Sequence, residues 1–405
     1  MTRMLYRWLI EFSFIGLMLS DLFGIKELGL FDEAMGILFF VLVLLNILER
    51  RGKIEGKTNQ YMMLCMVGMG IIGWLGNYIN PIQNDYKVAL NGMYLVLKQY
   101  IFGLYLFLSA KKMATSRLYL SLLKLSKCML AVLFLCSCLN LFVDIGMSGP
   151  NGEFCFLAKF GGTVGCWIIL FLSICYSDLE SNRLIWFVLA TITMFFSQSG
   201  LGMLGIGLLV LVYIFLEKQK QFHWYYMIPI AFVGILISWE EISMYLLDST
   251  APRAKLLIYS FVTAFEYFPI GAGFSTYASS MAVSNYSKLY YLYGFNKQFG
   301  MSKENAYYLM DSYYPMIIGE LGALGTVVFG VMIWSIFKSI IEISDKLIKN
   351  GALYLFAFLL IAGLGFGTGS SWGCAVYILI PLMVIEGNRY KDEENDLNMM
   401  EGTDR

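Results

Sequence analysis

Runs of about 20 apolar residues, the length needed to cross a bilayer core, recur from residue 8 onward and are separated by short polar stretches. This feature constrains the chain most, because only membrane-spanning helices stabilise so many apolar runs. Charged residues make up 14% of the 405 residues and hydrophobic ones 58%. A soluble domain carries roughly 25% charged residues. The expected fold is an all-α integral membrane protein of about 12 transmembrane helices. The spans are expected at 8–25, 34–48, 61–79, 88–110, 128–145, 161–176, 184–196, 201–216, 224–237 and 315–341, then from 353 and from 375. The basic amphipathic stretch 111–127 is expected to lie at the membrane interface. Residues 1–386 form a single polytopic membrane domain with a large external loop at 244–314 between helices 9 and 10. The charged tail, 387–405, is expected to be cytoplasmic and without order.

Orientation follows from lysine and arginine. With the N-terminus inside, the inner loops receive Arg50, Arg51, Lys53, Lys57, Lys111, Lys112, Lys346 and Lys349, so both termini are expected to be cytoplasmic. Glu11 and Asp21 in the first segment, with no small-residue cleavage site after it, do not fit a cleavable signal peptide. The formal net charge is zero, which gives no electrostatic case for nucleic acid. The eight cysteines have no metal spacing and read as small buried hydrophobes, so neither metal nor cofactor is expected.

The one long polar interruption, 249–325, is where chemistry on a polar substrate would be housed. Ser249 or Thr250 caps an expected helix, and Pro252 suits its first turn. Arg253 then sits at the positive end of that helix as an anion site, with Lys255 as a second cation. The alternative is an interfacial helix whose arginine touches lipid headgroups. FPIGAG follows, where Pro269, Gly271 and Gly273 mark a tight turn and a close backbone approach. The run 286–314 is dense in tyrosine, which suits sugar rings and the membrane interface equally. Asp311 is external and placed to take a proton from a hydroxyl, or is a solvated loop carboxylate. Glu320, nine positions on, is an intramembrane carboxylate that should face the bundle interior, with Lys98 as a possible structural partner. Asp311 and Glu320 fall on opposite faces of a continuous helix unless that helix starts after Asp311. Lys98, in mid-span, either holds a phosphate or closes a buried ion pair. His223, the only histidine, falls in a cytoplasmic loop and reads as an ordinary surface residue.

An arginine, an amphipathic helix, FPIGAG, and then DSYYPMIIGELGALG opening a span: in this order the chain resembles the superfamily of O-antigen ligases and Wzy-type polysaccharide polymerases. The resemblance covers about 197–329. It implies a GT-C-like, metal-independent glycosyltransferase at the outer face of the inner (plasma) membrane. Its donor would be a growing glycan on undecaprenyl pyrophosphate, and its acceptor a lipid-linked repeat unit. Membrane lipids, a flippase and a chain-length regulator would be its partners. Carried over by position, Arg253 is the diphosphate ligand, Gly271 and Gly273 the turn, and Asp311 the base. Lys98, Lys255, Ser312, Tyr313 and Glu320 join the substrate contacts. Two departures stand out. Family members often carry Ser-Arg where this chain has Ser199 and Gly200, and the ligase branch has a histidine where this chain has Asp311 and Ser312. Both favour a capsule or exopolysaccharide polymerase over an O-antigen ligase. They leave the second phosphate contact open among Lys98, Lys255 and Lys159. A lipid-linked oligosaccharide flippase is the main alternative, though the lopsided external loop fits it poorly. A membrane O-acyltransferase usually needs a histidine within or outside the membrane, and His223 does not supply one.

Overall fold

The computed structural model describes residues 2–217 and 251–403, apart from 144, 151, 179–181, 366 and 368, together with 225, 228 and 232; residues 2, 3, 26 and 390–403 are described in backbone only. The described residues are helical and form no sheet. Eight helices precede the undescribed stretch: α1 (Thr2–Leu22), α2 (Phe31–Glu49), α3 (Lys57–Ile79), α4 (Tyr86–Ser109), α5 (Thr115–Phe142), α6 (Gly161–Tyr176), α7 (Arg183–Ser197) and α8 (Gly200–Val212). Six follow it: α9 (Pro252–Glu266), the short α10 (Ser280–Ser284) and α11 (Lys288–Leu292), then α12 (Tyr313–Ile341), α13 (Lys346–Gly365) and α14 (Ser371–Thr403).

Seven of the described helices, α2 to α5 and α12 to α14, are long and apolar enough to cross a membrane. Helices α6, α7 and α8 are apolar but shorter. Helix α1 carries Arg7, Glu11 and Asp21. The span expected at 224–237, His223, and the caps Ser249 and Thr250 lie outside the described residues.

One expectation needs correction. The interfacial stretch 111–127 and the span after it are mostly one helix, α5, because no glycine or proline interrupts Thr115–Phe142. Lys127, which suggested an interfacial position, is ion-paired with Asp178. Helix α14 runs on to Thr403. Its Lys, Glu, Leu and Met residues are good helix formers.

The two ends of the bundle differ. At one end Lys111 meets Glu55 at 2.7 Å, Lys112 meets Glu49, and Arg50 donates to the Leu108 carbonyl at 2.8 Å. Arg389 lies 3.5 Å from Glu386 at this end. The cations assigned to the inner loops therefore gather on one side. The opposite end carries the 252–312 segment, docked on α3, α4 and α12.

The core runs through α6, α13 and α14, with Trp167, Tyr354 and Trp372 fully buried. Asp21 is enclosed there, accepting from Trp167 Nε1 at 3.2 Å and from the Trp372 backbone at 2.9 Å. Lys98 is 5% exposed and ion-paired with Asp32, itself 8% exposed. Removing one partner of a buried pair leaves an uncompensated charge, whereas apolar replacement of both is close to neutral. Asp32→Leu is therefore expected to cost about 3 kcal/mol. Combining it with Lys98→Met should restore the melting temperature in detergent. A double variant no more stable than Asp32→Leu would contradict this account of the pair.

Candidate functional site

Helix α9 opens on Pro252 behind Ala251, in extended conformation. Ala254, Leu256, Ser260, Thr263 and Ala264 are buried, and Ile258, Phe261 and Phe265 are exposed. The helix is thus amphipathic, and its inner face packs on α12.

FPIGAG is inserted into a break in α12. At Gly322 the backbone leaves helical geometry, with φ 63° and ψ −164°. The helical hydrogen bonds lost there are replaced across the chain. Ala272 N–H donates to the Gly319 carbonyl at 3.0 Å, Gly273 N–H to that of Glu320 at 2.9 Å, and Leu324 N–H to that of Pro269 at 3.0 Å. Non-helical backbone at membrane depth is tolerated only when it is satisfied within protein in this way. A Cβ on Gly271 would lie 2.3 Å from the Gly322 nitrogen, so the two strands of backbone touch. Asn77 and Asn80 of α3 close the other side: Asn77 pairs reciprocally with the Phe274 backbone at 2.8 and 2.9 Å, and Asn80 donates to the Gly271 carbonyl at 3.0 Å.

Glu320 fixes the chain beyond the turn. It is 1% exposed, and its Oε1 accepts from Thr276 N–H at 3.0 Å, Tyr277 N–H at 3.3 Å and Ser279 Oγ at 2.6 Å. It does not pair with Lys98. The tyrosines form a small core for the 252–312 segment. Tyr277, Tyr290 and Phe295 are fully buried and in ring contact. Tyr277 donates to the Leu256 carbonyl at 2.7 Å, and Tyr286 to that of Met301 at 2.9 Å. Burial pushes the Tyr286 phenol up to about 12, so it remains a donor at neutral pH. Tyr291 and Tyr307 stay exposed.

The decisive pair is Arg253 with Asp311. Separated by 58 residues, they meet at 3.2 Å from Nη2 to Oδ2. Their side chains are 27% and 29% exposed. Helix α12 begins at Tyr313, so Asp311 precedes it and is not held to the helix face opposite Glu320. Ser312 Oγ donates to the Leu364 carbonyl at 2.9 Å, bringing the end of α13 alongside. A Cβ on Gly365 would lie 3.9 Å from Arg253 Nη1, so the last residue of α13 flanks the guanidinium. Burial raises the Asp311 carboxyl above the ordinary 3.8, against the opposing pull of Arg253.

Arg253, Asp311 and Ser312 thus come together, while most of the other expected contacts are engaged elsewhere. Lys98 is paired with Asp32. Lys255 donates to Gln298 at 2.9 Å. Tyr313 is buried, bonded to Tyr100 and accepting from Gln99. Gly271, Gly273 and Glu320 build the turn and its anchor. Lys159 is exposed, 5.1 Å over the Phe160 ring in the loop before α6. The neighbour missed from sequence is Gly365. Its only signal was the glycine-rich run between the last two spans.

The chain matches no family model and no curated protein sequence.

Asp311 can take a proton only when ionised. Any reaction that uses it is expected to have an acidic limb with a midpoint above 3.8. An undiminished rate at about pH 4 would remove Asp311 from the role of base. The same shift has a stability consequence. The folded chain binds this proton more tightly than the unfolded chain, so the contribution is complete below 3.8 and is lost as pH rises through the folded value.

Proposed function

We propose that this protein is a polysaccharide polymerase. It transfers a growing glycan from undecaprenyl pyrophosphate to a lipid-linked repeat unit at the outer face of the plasma membrane. The observation that carries the reading is the half-exposed Arg253–Asp311 pair at the end of the bundle opposite the clustered cations. That end is the external one, both termini are cytoplasmic, and the fold is a GT-C-like arrangement of about twelve spans.

In the reaction, the acceptor hydroxyl oxygen attacks the anomeric carbon of the donor. The bond from that carbon to the pyrophosphate oxygen breaks, and the hydroxyl proton passes to Asp311. A guanidinium carries five N–H donors in a fork suited to phosphate. Arg253 can therefore engage Asp311 and still meet the negative charge that grows on the leaving pyrophosphate. Pyrophosphate is a good leaving group, so stabilising this charge in a low-dielectric site is the main task, worth on the order of 3 kcal/mol per donor. No metal is needed for this scheme.

The test is reconstitution. The purified chain in proteoliposomes, given lipid-linked repeat units, should produce a ladder of longer glycans, with or without a chelator. Repeat units that stay unextended in the presence of well-folded protein would count against the polymerase.

A further inference from the structure

A cavity of about 570 Å³ opens at the turn between α7 and α8. It lies at the same end of the bundle as Arg253. The far end of α6, at Ser173, packs on Gly351 near the start of α13, and α13 finishes at Gly365 beside Arg253. The near end of α6, at Gly161, packs on Ser197 at that turn.

The lining has a distinct chemistry. Ser137, Asn140, Ser148 and Gln198 supply neutral polar groups, Phe154 and Phe196 supply aromatic rings, and none of the residues lining it is charged. A phosphate would call for a cation. An acyl chain would leave the Gln198 amide without a partner. Aromatic faces with neutral amides and hydroxyls suit a sugar ring. Gly200 also lines this cavity and brings no charge to it.

Gln198 carries the argument. Its backbone is left-handed, with φ 48° and ψ 26°, a conformation that residues other than glycine adopt rarely. Glycine would satisfy the turn with less strain. The glutamine side chain is nevertheless present, exposed, and hydrogen-bonded to no described residue. Its neighbours have structural duties: Asn140 donates to Ser148 Oγ at 2.9 Å, and Ser137 donates to the Phe134 carbonyl at 2.8 Å. An uncommitted amide held in a strained turn over a neutral, aromatic-walled cavity points to a ligand.

We infer that this cavity is a subsite for an uncharged sugar residue of the glycan, separate from the Arg253–Asp311 centre. The inference rests on the polymerase reading. Gln198 reads ring hydroxyls through its amide, and Phe196 packs against the apolar face of the ring. The subsite holds part of the repeat unit and sets which sugar is accepted.

The test uses the full chain purified in a sugar-free detergent. The probe is the repeat-unit oligosaccharide released from its lipid, without phosphate. Binding is measured by saturation-transfer NMR, and polymerisation is assayed on the same preparations. Gln198→Gly removes the amide while easing the backbone, so its melting temperature should not fall. Its binding should weaken about tenfold, the loss expected for one or two hydrogen bonds. Met203→Trp, which fills the cavity from its wall, should weaken binding at least as much. Arg253→Ala should leave binding of this phosphate-free probe intact. Equal binding by wild type, Gln198→Gly and Met203→Trp overturns the inference, as does a wild type that binds no oligosaccharide. In either case extension of lipid-linked units by the wild type would keep the polymerase reading standing. Loss of that extension alone would fault the reading.

Discussion

Arg253→Ala is expected to reduce polymer formation at least about a hundredfold, with normal amounts of protein in the membrane. Loss of a single preorganised donor to a developing anion costs about 10²–10³ in rate. Arg253 has two features that place it in this range. Its guanidinium is half-exposed at the polar end of the bundle, and it is held against Asp311 at 3.2 Å. Arg253→Lys keeps the charge but loses the planar fork, so it should retain part of the activity. Asp311→Asn should lose activity as well, since the amide cannot accept the proton. It should also remove the acidic limb from whatever rate remains. A fully active Arg253→Ala protein would leave the anion-holding role without a residue.

Gly322→Ala is expected to destabilise the protein by more than about 4 kcal/mol, a size reached only through severe local conflict. The conflict has two sources. The φ of 63° and ψ of −164° lie in a region open essentially to glycine alone. An added Cβ would also lie 2.2 Å from the Gly271 nitrogen, and neither backbone can move without losing the hydrogen bonds across the break. The variant should fail to accumulate in the membrane. Gly330 in the same helix provides the control, because a Cβ there meets nothing within 4 Å. Gly330→Ala should be neutral or slightly stabilising, given the higher helix propensity of alanine. Normal accumulation of Gly322→Ala would mean that the break in α12 is not the anchor of the 252–312 segment.

The residues differ in how openly they announced these roles. Hydrophobic run length placed the boundaries of α3, α4, α6, α7 and α12 closely, since each run is bounded by polar or glycine-rich residues. It missed the unity of α5, where lysines and serines on a continuous helix imitate an interfacial segment. Seven described helices meet the length and composition needed to cross a membrane, fewer than the run count suggested, partly because α6, α7 and α8 are short. Pro269, Gly271 and Gly273 revealed a close backbone approach, but not its partner. That partner is Gly322, fifty-one positions past Gly271 and inside what reads as an unbroken apolar span. Lys98 and Glu320 were legible as buried charges needing partners. Their partners, Asp32 and the 276–279 backbone with Ser279, depend on how distant elements pack, which local pattern does not encode. The tyrosine cluster looked equally suited to sugars and to the interface, yet much of it serves as the hydrophobic core of the 252–312 segment. Arg253 and Asp311 were each visible as external polar groups, and only folding shows that they meet.

The measurement that bears most directly on the central claim is the fate of the lipid-linked repeat unit in a strain lacking this protein. Complementation with wild type, Arg253→Ala and Asp311→Asn, at matched membrane levels, completes the comparison. The account predicts that single repeat units on undecaprenyl pyrophosphate build up at the outer face of the membrane in the deletion strain. Wild type should restore long polymer, and neither variant should. Repeat units trapped at the cytoplasmic face would contradict the account and identify a flippase instead. Long polymer persisting in the deletion strain would contradict it as well.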